Sequence, residues 1–275
     1  MHNDRLEALL SRFHVQTQMF HSGPLCGVND FAPEQGRGQL HLVQQGMLRV
    51  EHADGSAVDV SEPSLLFYPR PLAHRFISDA DRGADMACAY VRFGEGARNP
   101  LTAALPEFIC LPLHLLDGAD ALLTVLFREA FEQKCGRQLV VDRLFEVVLI
   151  HILRHLMAST PGRIGLLAGL AHPQLSRALV AIHAEPGRPW SLVSMAATAG
   201  MSRTQFAASF HQHIGLTPAS YLMRWRLTVA QQLLDAGRPL KLIVDEVGYR
   251  SAAALSRAFK AHTGESPRAW KQRDA

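Results

Sequence analysis

The sequence predicts an α+β protein: a small strand-built N-terminal barrel followed by helices, then an all-α C-terminal module of two helix-turn-helix units. Three observations carry this. Between Val15 and Phe93, short apolar runs alternate with turn signals at Gly46, Asp54-Gly55 and Pro69-Arg70-Pro71, the texture of many short strands joined by tight turns. From Ala119 to Met157 the apolar spacing changes to that of amphipathic helices. From Trp190 onward, a short apolar helix, a glycine and a Ser-capped helix occur in that order twice.

The bulk composition bounds the function class. The chain has 275 residues, of which 48% are hydrophobic and 19% charged, enough core for one large or two ordinary domains and unlike a disordered chain. Met1 to Arg5 leads into no apolar signal core, and the greasiest stretch, Val147 to Leu153, contains His151 and is followed by Arg154. No secretory signal or bilayer span is therefore expected, and the cytoplasm is the expected compartment. There Cys26, Cys88, Cys110 and Cys135 are expected as reduced thiols. Charge is divided: Pro186 to Ala275 holds 12 Lys+Arg against 5 Asp+Glu, whereas residues 1–185 hold 16 against 20. A basic C-terminal third on a mildly acidic body points to a polyanion partner for that third alone.

The strands are read at Gln39 to Val43, Met47 to His52, Ala57 to Val60, Ser64 to Tyr68 and Ala87 to Phe93. Asp54-Gly55 between two of them is a hairpin signal. Leu122, Leu123, Leu126, Phe127 and Ala130 form one helical face, and Val140, Leu144, Val147, Val148, His151 and Ile152 another. Thr160 to Gly165 reads as a loop, and Leu175 to His183 as a short helix stopped by Pro186-Gly187. The domain boundaries follow: 1–115 for the strand domain, 116–185 for a helical coupling or dimerisation region and linker, and 186–275 for the C-terminal module.

In the first helix-turn-helix unit Ser191 caps a short helix, Ala196 is the small residue where helices cross, and Gly200 sits at the turn. Ser202 caps the second helix, in which Phe206 and Phe210 face inward. The second unit repeats this around Gly248 and Ser251, with Leu255 and Phe259 inward. A helix from Pro218 to Ala236 joins the two, long enough to hold two reading heads about one DNA turn, ~34 Å, apart.

The block Ala199-Gly200-Met201-Ser202, Phe210 through Gly215, Thr217-Pro218, Arg226-Leu227, Leu233-Leu234, Val247-Gly248-Tyr249 and Ser256-Arg257-Ala258-Phe259-Lys260 resembles the AraC/XylS family of transcription regulators. The resemblance implies that Ser202 to His213 and Ser251 to His262 enter successive major grooves of double-stranded DNA. Arg203, Thr204, Ala207 and Ala208 would then face the first groove, and Ala253, Ser256 and Arg257 the second. The alanines can touch only a thymine methyl, while Arg257 suits guanine O6 and N7, or alternatively a phosphate or a contact within the domain. Lys241 and Lys260 are assigned to phosphates. RNA polymerase is the implied protein partner of an activator, and a homodimer is a further expectation.

The strand region resembles the cupin-type sensor of AraC-family proteins, on Leu40-His41-Leu42-Val43, Gly46, Glu62 through Arg70 and Ala73-His74-Arg75-Phe76. His41 and His74 are expected to meet inside the barrel, as ligand-contacting or structural residues or as two ligands of a metal; without a carboxylate they make a poor metal site. Placement of Cys26 and Cys88 in predicted strands resembles a subgroup that includes reactive-chlorine sensors, in which cysteines at these positions form the oxidisable pair. The alternative is a small-molecule effector held by His41, Tyr68, Arg70 and His74, with Arg92 nearby. A metal-dependent cupin enzyme is the remote alternative; no catalytic motif supports an enzyme and no cofactor is expected.

Overall fold

The computed structural model of the chain describes residues 4–34, 36–94, 99–159 and 164–272; of the loop read at Thr160 to Gly165, residues 160–163 lie outside them. The chain forms two compact units, one of residues 13–159 and one of residues 1–12 with 160–275. The segment read as a single middle region is thus divided between the two.

In the unit of residues 13–159, the described residues form two antiparallel sheets. They use β1 (Val15–Leu25), β2 (Val28–Phe31), β3 (Gly38–Gln45), β4 (Leu48–His52), β5 (Ala57–Val60), β6 (Ser64–Tyr68), β7 (His74–Ser78), β8 (Ala84–Phe93) and β9 (Ile109–Pro112). One sheet has the order β1-β8-β3-β6-β9 and the other β2-β7-β4-β5. Val43, Leu66, Tyr68, Met86 and Cys88 of the first sheet enclose a core with Leu48, Val50, Val60 and Phe76 of the second. The hairpin signal is realised: Gly55 has φ +84°, and its N–H donates to His52 O at 3.0 Å. Gly46 is required for space as well as conformation, since a Cβ there would lie 2.8 Å from both Ala84 Cα and Gly83 O.

The helices of this unit include α2 (Pro100–Ala104), α3 (Asp120–Phe131) and α4 (Arg137–Ser159). Helix α4 protects the edge strand β1, whose unpaired backbone groups are otherwise a template for other chains. Met19 N–H donates to Asp142 Oδ1 at 2.7 Å, Gln138 Nε2 donates to Met19 O at 3.0 Å, and Thr17 Oγ1 donates to Asp142 O.

The second unit is helical: α1 (Glu7–Leu10), α5 (Leu166–Ala171), α6 (Leu175–Ala184), α7 (Leu192–Ala199), α8 (Arg203–Ile214), α9 (Pro218–Asp235), α10 (Leu240–Glu246), α11 (Ala252–Thr263) and α12 (Pro267–Gln272). The caps form as the sequence predicts. Ser191 and Ser202 close reciprocal capping boxes with Ser194 and Gln205, and Ser251 Oγ accepts from Ala254 N–H at 3.2 Å. Helix α9 buries Tyr221, Leu222, Trp225, Leu227, Val229, Ala230 and Leu234. A helix apolar around most of its circumference belongs in a core, and this one is the spine on which both heads pack.

Residues 4–12 belong to this helical unit and not to the strands that follow them. Leu9 is fully buried and Leu6 nearly so. Arg5 Nη1 donates to Ala171 O at 3.2 Å, and Gln232 Nε2 donates to Arg12 O at 2.5 Å. Truncating a fully buried leucine costs ~2–5 kcal/mol, so Leu9→Ala is expected to lower the stability of the helical unit by that order. All three tryptophans (Trp190, Trp225, Trp270) lie in this unit, so urea titration followed by tryptophan fluorescence reads it selectively. An unchanged midpoint would show that the N-terminal segment is dispensable.

Candidate nucleic-acid interface and sensor interior

Helices α8 and α11 are each 12 residues long, and each runs from a serine N-cap to a left-handed glycine, Gly215 at φ +78° and Gly264 at φ +83°. Their residues therefore correspond one to one: Thr204 with Ala253, Ala207 with Ser256, Ala208 with Arg257, Phe210 with Phe259 and His211 with Lys260. Phe206, Phe210, Leu255 and Phe259 are fully buried, which fixes the rotation of each helix. Arg203, Thr204, Ala208, Ala253, Arg257, Lys241 and Lys260 are exposed, whereas Ala207 and Ser256 are half-buried. No side-chain partner holds Arg203, Thr204 or Arg257 among the described residues, so these groups are free to meet a ligand.

Ala207 stands at the wall of an apolar trough of about 610 Å³ between the two heads, together with Met195, Leu222, Met223 and Ala258. It is half-buried there, as is its counterpart Ser256. The sequence reading passed over Arg250, exposed immediately before the Ser251 cap. The signal was available, because a basic residue beside a helix N-terminus is a phosphate contact in waiting. Arg226, singled out in the sequence only as part of the family resemblance, donates from Nε to Pro186 O and from Nη2 to Arg188 O, both at 2.8 Å.

Inside the barrel, His41 and His74 do meet: their Nε2 atoms lie 3.3 Å apart. His74 Nδ1 is 2.9 Å from Leu72 O, a carbonyl that can only accept. His74 therefore carries its proton on Nδ1, and His41 donates from Nε2 to His74 Nε2. That tautomer leaves His41 Nδ1 as a bare acceptor, and it has no partner; neither has the buried Gln39 Oε1. The aromatic rings stack around the pair, with Phe31, His74, Tyr68 and Phe108 in sequence at centroid spacings of 5.0, 3.9 and 4.9 Å. Tyr68 OH is bonded to His52 Nε2 at 3.1 Å. Burial holds both His41 and His74 below the ordinary imidazole value, His74 to about 4, and pushes the Tyr68 phenol up.

Two imidazoles are an incomplete ligand set, and no group of three metal-ligating side chains occurs among the described residues. The donor set does not fit a metal. Arg70 is not aimed at the histidines: its Nη1 donates to Thr102 O at 2.6 Å and to Leu105 O at 3.1 Å, holding α2 in place. Arg92 is exposed and lines an outer cleft with Arg37 and Tyr90.

The cysteines are not neighbours. Cys26 lies in the break between β1 and β2, not in a strand, because Gly27 turns the chain at φ +70°. It is exposed, and its Sγ lies against Gly83. Cys88 is fully buried in β8, opposite both His21 and His41. Since Leu25 pairs with Ala84, the level of Cys26 on β8 is about five residues from Cys88, ~17 Å at the rise of a strand. A disulfide needs Cα atoms within ~7 Å. Burial pushes the Cys88 thiol up, which keeps it protonated. Cys110 and Cys135 are exposed, and Lys134 pairs with Glu132.

A helical unit with two capped helix-turn-helix heads and a separate strand unit with an enclosed polar centre make the organisation of a two-domain DNA-binding transcription regulator. Residues 4–158 match the cupin family, and residues 195–273 match the helix-turn-helix domain. The chain is 32% identical to a Streptomyces antibioticus protein described as an AraC-like transcription regulator, over 96% of this chain and 95% of that one. It is 30% identical to the HTH-type transcriptional regulator AlkR of Acinetobacter baylyi, over 84% and 87%. It is 26% identical to the RCS-specific HTH-type transcriptional activator RclR of Escherichia coli, over 89% of each. The chain belongs to the AraC family of transcription regulators, with an N-terminal cupin domain.

The histidine pair has a pH consequence. An unfolded imidazole takes its proton near pH 6.5, whereas folded His74 refuses it until about 4. Within that window the unfolded state binds more protons, so stability falls as pH is lowered through it. The cupin domain's melting temperature is expected to drop between pH 6.5 and about 4, and His74→Gln to flatten the drop, as read by calorimetry. A melting temperature that stays level across this window in the parent protein would contradict the buried neutral pair.

Proposed function

We propose that this regulator reads a two-part DNA site with α8 and α11, and that oxidation of Cys26 changes its affinity for that site. The observation that carries the DNA reading is the matched frame of the two helices, which presents Arg203 and Thr204 on one and Arg257 on the other, all exposed and unpartnered. Lys241 and Lys260, on the same unit, supply phosphate contacts. RNA polymerase and a second copy of the chain complete the partners; the exposed Val140 and Val147 of α4 offer the copy an apolar face.

Base and phosphate contacts separate in a salt titration. Lys241→Ala and Lys260→Ala are expected to weaken all sequences alike and to lower the salt slope by about one each. Arg257→Ala is expected to cost ~1–3 kcal/mol on the selected site and to relax the sequence preference at one position. Fluorescence anisotropy against selected and scrambled duplexes checks this; equal losses on both for Arg257→Ala would remove it from base reading.

For the signal, Cys26 is the exposed member of the Cys26 and Cys88 pair, and the relative whose printed name is RCS-specific supports an oxidant. The Cys26 thiolate attacks the chlorine of hypochlorous acid; an S–Cl bond forms, the O–Cl bond breaks and hydroxide leaves, with sulfur losing two electrons. A second thiol then displaces chloride, forming a disulfide and releasing a proton. Capture by Cys88 requires β8 to leave its ladder, so disulfide formation and rearrangement of the barrel would be one event, the kind of differential state a regulator needs. Cys26→Ser is expected to abolish any change in DNA affinity after hypochlorite treatment. A Cys26→Ser protein that still responds would remove this thiol from the mechanism.

A second reading has its own observation. Gln39 Oε1 and His41 Nδ1 are buried without partners beside Tyr68 and His74, and a small polar effector could satisfy them. Such a response would survive Cys26→Ser. The incomplete ligand set leaves a metal-dependent enzyme without support.

A further inference from the structure

The two reading helices share a frame but not a chemistry. At the first three positions α8 carries Arg203, Thr204 and Gln205, and α11 carries Ala252, Ala253 and Ala254. Ala252 and Ala253 are exposed and Ala254 is half-buried. The Ser251 hydroxyl before them accepts from the Ala254 N–H as the helix cap, and Ser256 is half-buried. The leading turn of α11 therefore offers a surface of methyl groups, with Arg257 as the first long hydrogen-bonding side chain, one turn further on. A short methyl tip also lets the helix backbone sit closer to a groove floor than Arg203 permits in α8.

In the major groove a pyrimidine presents two features: an oxygen or amino group at C4, and a methyl or hydrogen at C5. A methyl surface makes no hydrogen bond, so it is blind to C4. It gains apolar contact only when C5 carries a methyl group. Thymine and 5-methylcytosine share that methyl; uracil and cytosine lack it.

We propose that α11 recognises 5-methylpyrimidines, accepting thymine and 5-methylcytosine alike and discriminating against uracil and unmethylated cytosine, with Arg257 reading an adjacent guanine. This rests on the proposed DNA reading by α8 and α11. It makes the second half-site sensitive to cytosine methylation.

The test uses the full-length reduced protein. Bound duplexes are first selected from random DNA, and Arg257→Ala identifies the half-site that α11 reads. Thymines of that half-site are then replaced one at a time by deoxyuridine, by 5-methyldeoxycytidine paired with guanine, and by deoxycytidine paired with guanine. Each lost methyl is expected to weaken binding about fourfold, the worth of one buried CH2 group, while 5-methylcytosine stays within about twofold of thymine. Ala253→Asn, at an exposed position, replaces the methyl with a bidentate hydrogen-bonding group; it is expected to lose the methyl dependence and gain a preference for adenine. Equal affinity for thymine and uracil sites, or an Arg257-dependent half-site without thymine, overturns the proposal and leaves the DNA reading intact. Selection that yields no preferred sequence overturns the DNA reading itself.

Discussion

Arg226 holds the two heads in a fixed relation. Its guanidinium donates to Pro186 O and Arg188 O, in the segment leading into the first head, and passes beneath Gly248, the turn of the second. A Cβ at Gly248 would lie 2.5 Å from Arg226 Nη2, so the turn must be glycine for the arginine to pass. The half-buried cation is solvated by backbone carbonyls, which is how a charge is kept inside a protein at tolerable cost. Because Arg226 stands on α9, the spine, the glycine turn and the entry segment share one anchor. Helices α8 and α11 are thereby tied to one frame.

The cupin domain is organised around a different constraint, the need to satisfy polar groups in a buried interior. His74 Nδ1–H donates a hydrogen bond to Leu72 O, His41 bonds to His74, and Tyr68 bonds to His52. These bonds set the order of rings in the stack, and the two atoms left over, on Gln39 and His41, mark its incomplete point. The outer side depends on Asp142, which serves the edge strand β1 with both its carboxylate and its carbonyl.

The helix-turn-helix units were legible because their signals are local. Serine caps, left-handed glycines and inward apolar pairs four residues apart each act within a turn or two, and all of them appear where the sequence places them. The strands and the Asp54-Gly55 hairpin were legible for the same reason. What escaped depends on contacts distant in sequence. Arg70 reads as an effector ligand, and no local signal reports that its Nη1 is held by Thr102 O and Leu105 O, more than thirty residues on. Cys26 looked like a strand residue beside Cys88, but register, not strand membership, sets the distance between them. The attachment of residues 4–12 to the helical unit links segments more than 160 residues apart, and no periodicity reports that.

The repeated architecture also bears on how such a regulator diversifies. Each head has its own cap, glycine and buried apolar pair four residues apart, and its outward positions take no part in holding it together. Exposed alanines such as Ala208 and Ala253 are the least demanding residues a helix can carry, and exchanging one for a longer side chain costs the fold little. On the proposed reading, one head can therefore drift toward a new operator while the other keeps its grip on the old one, and a regulon is redrawn one half-site at a time, without a non-binding intermediate.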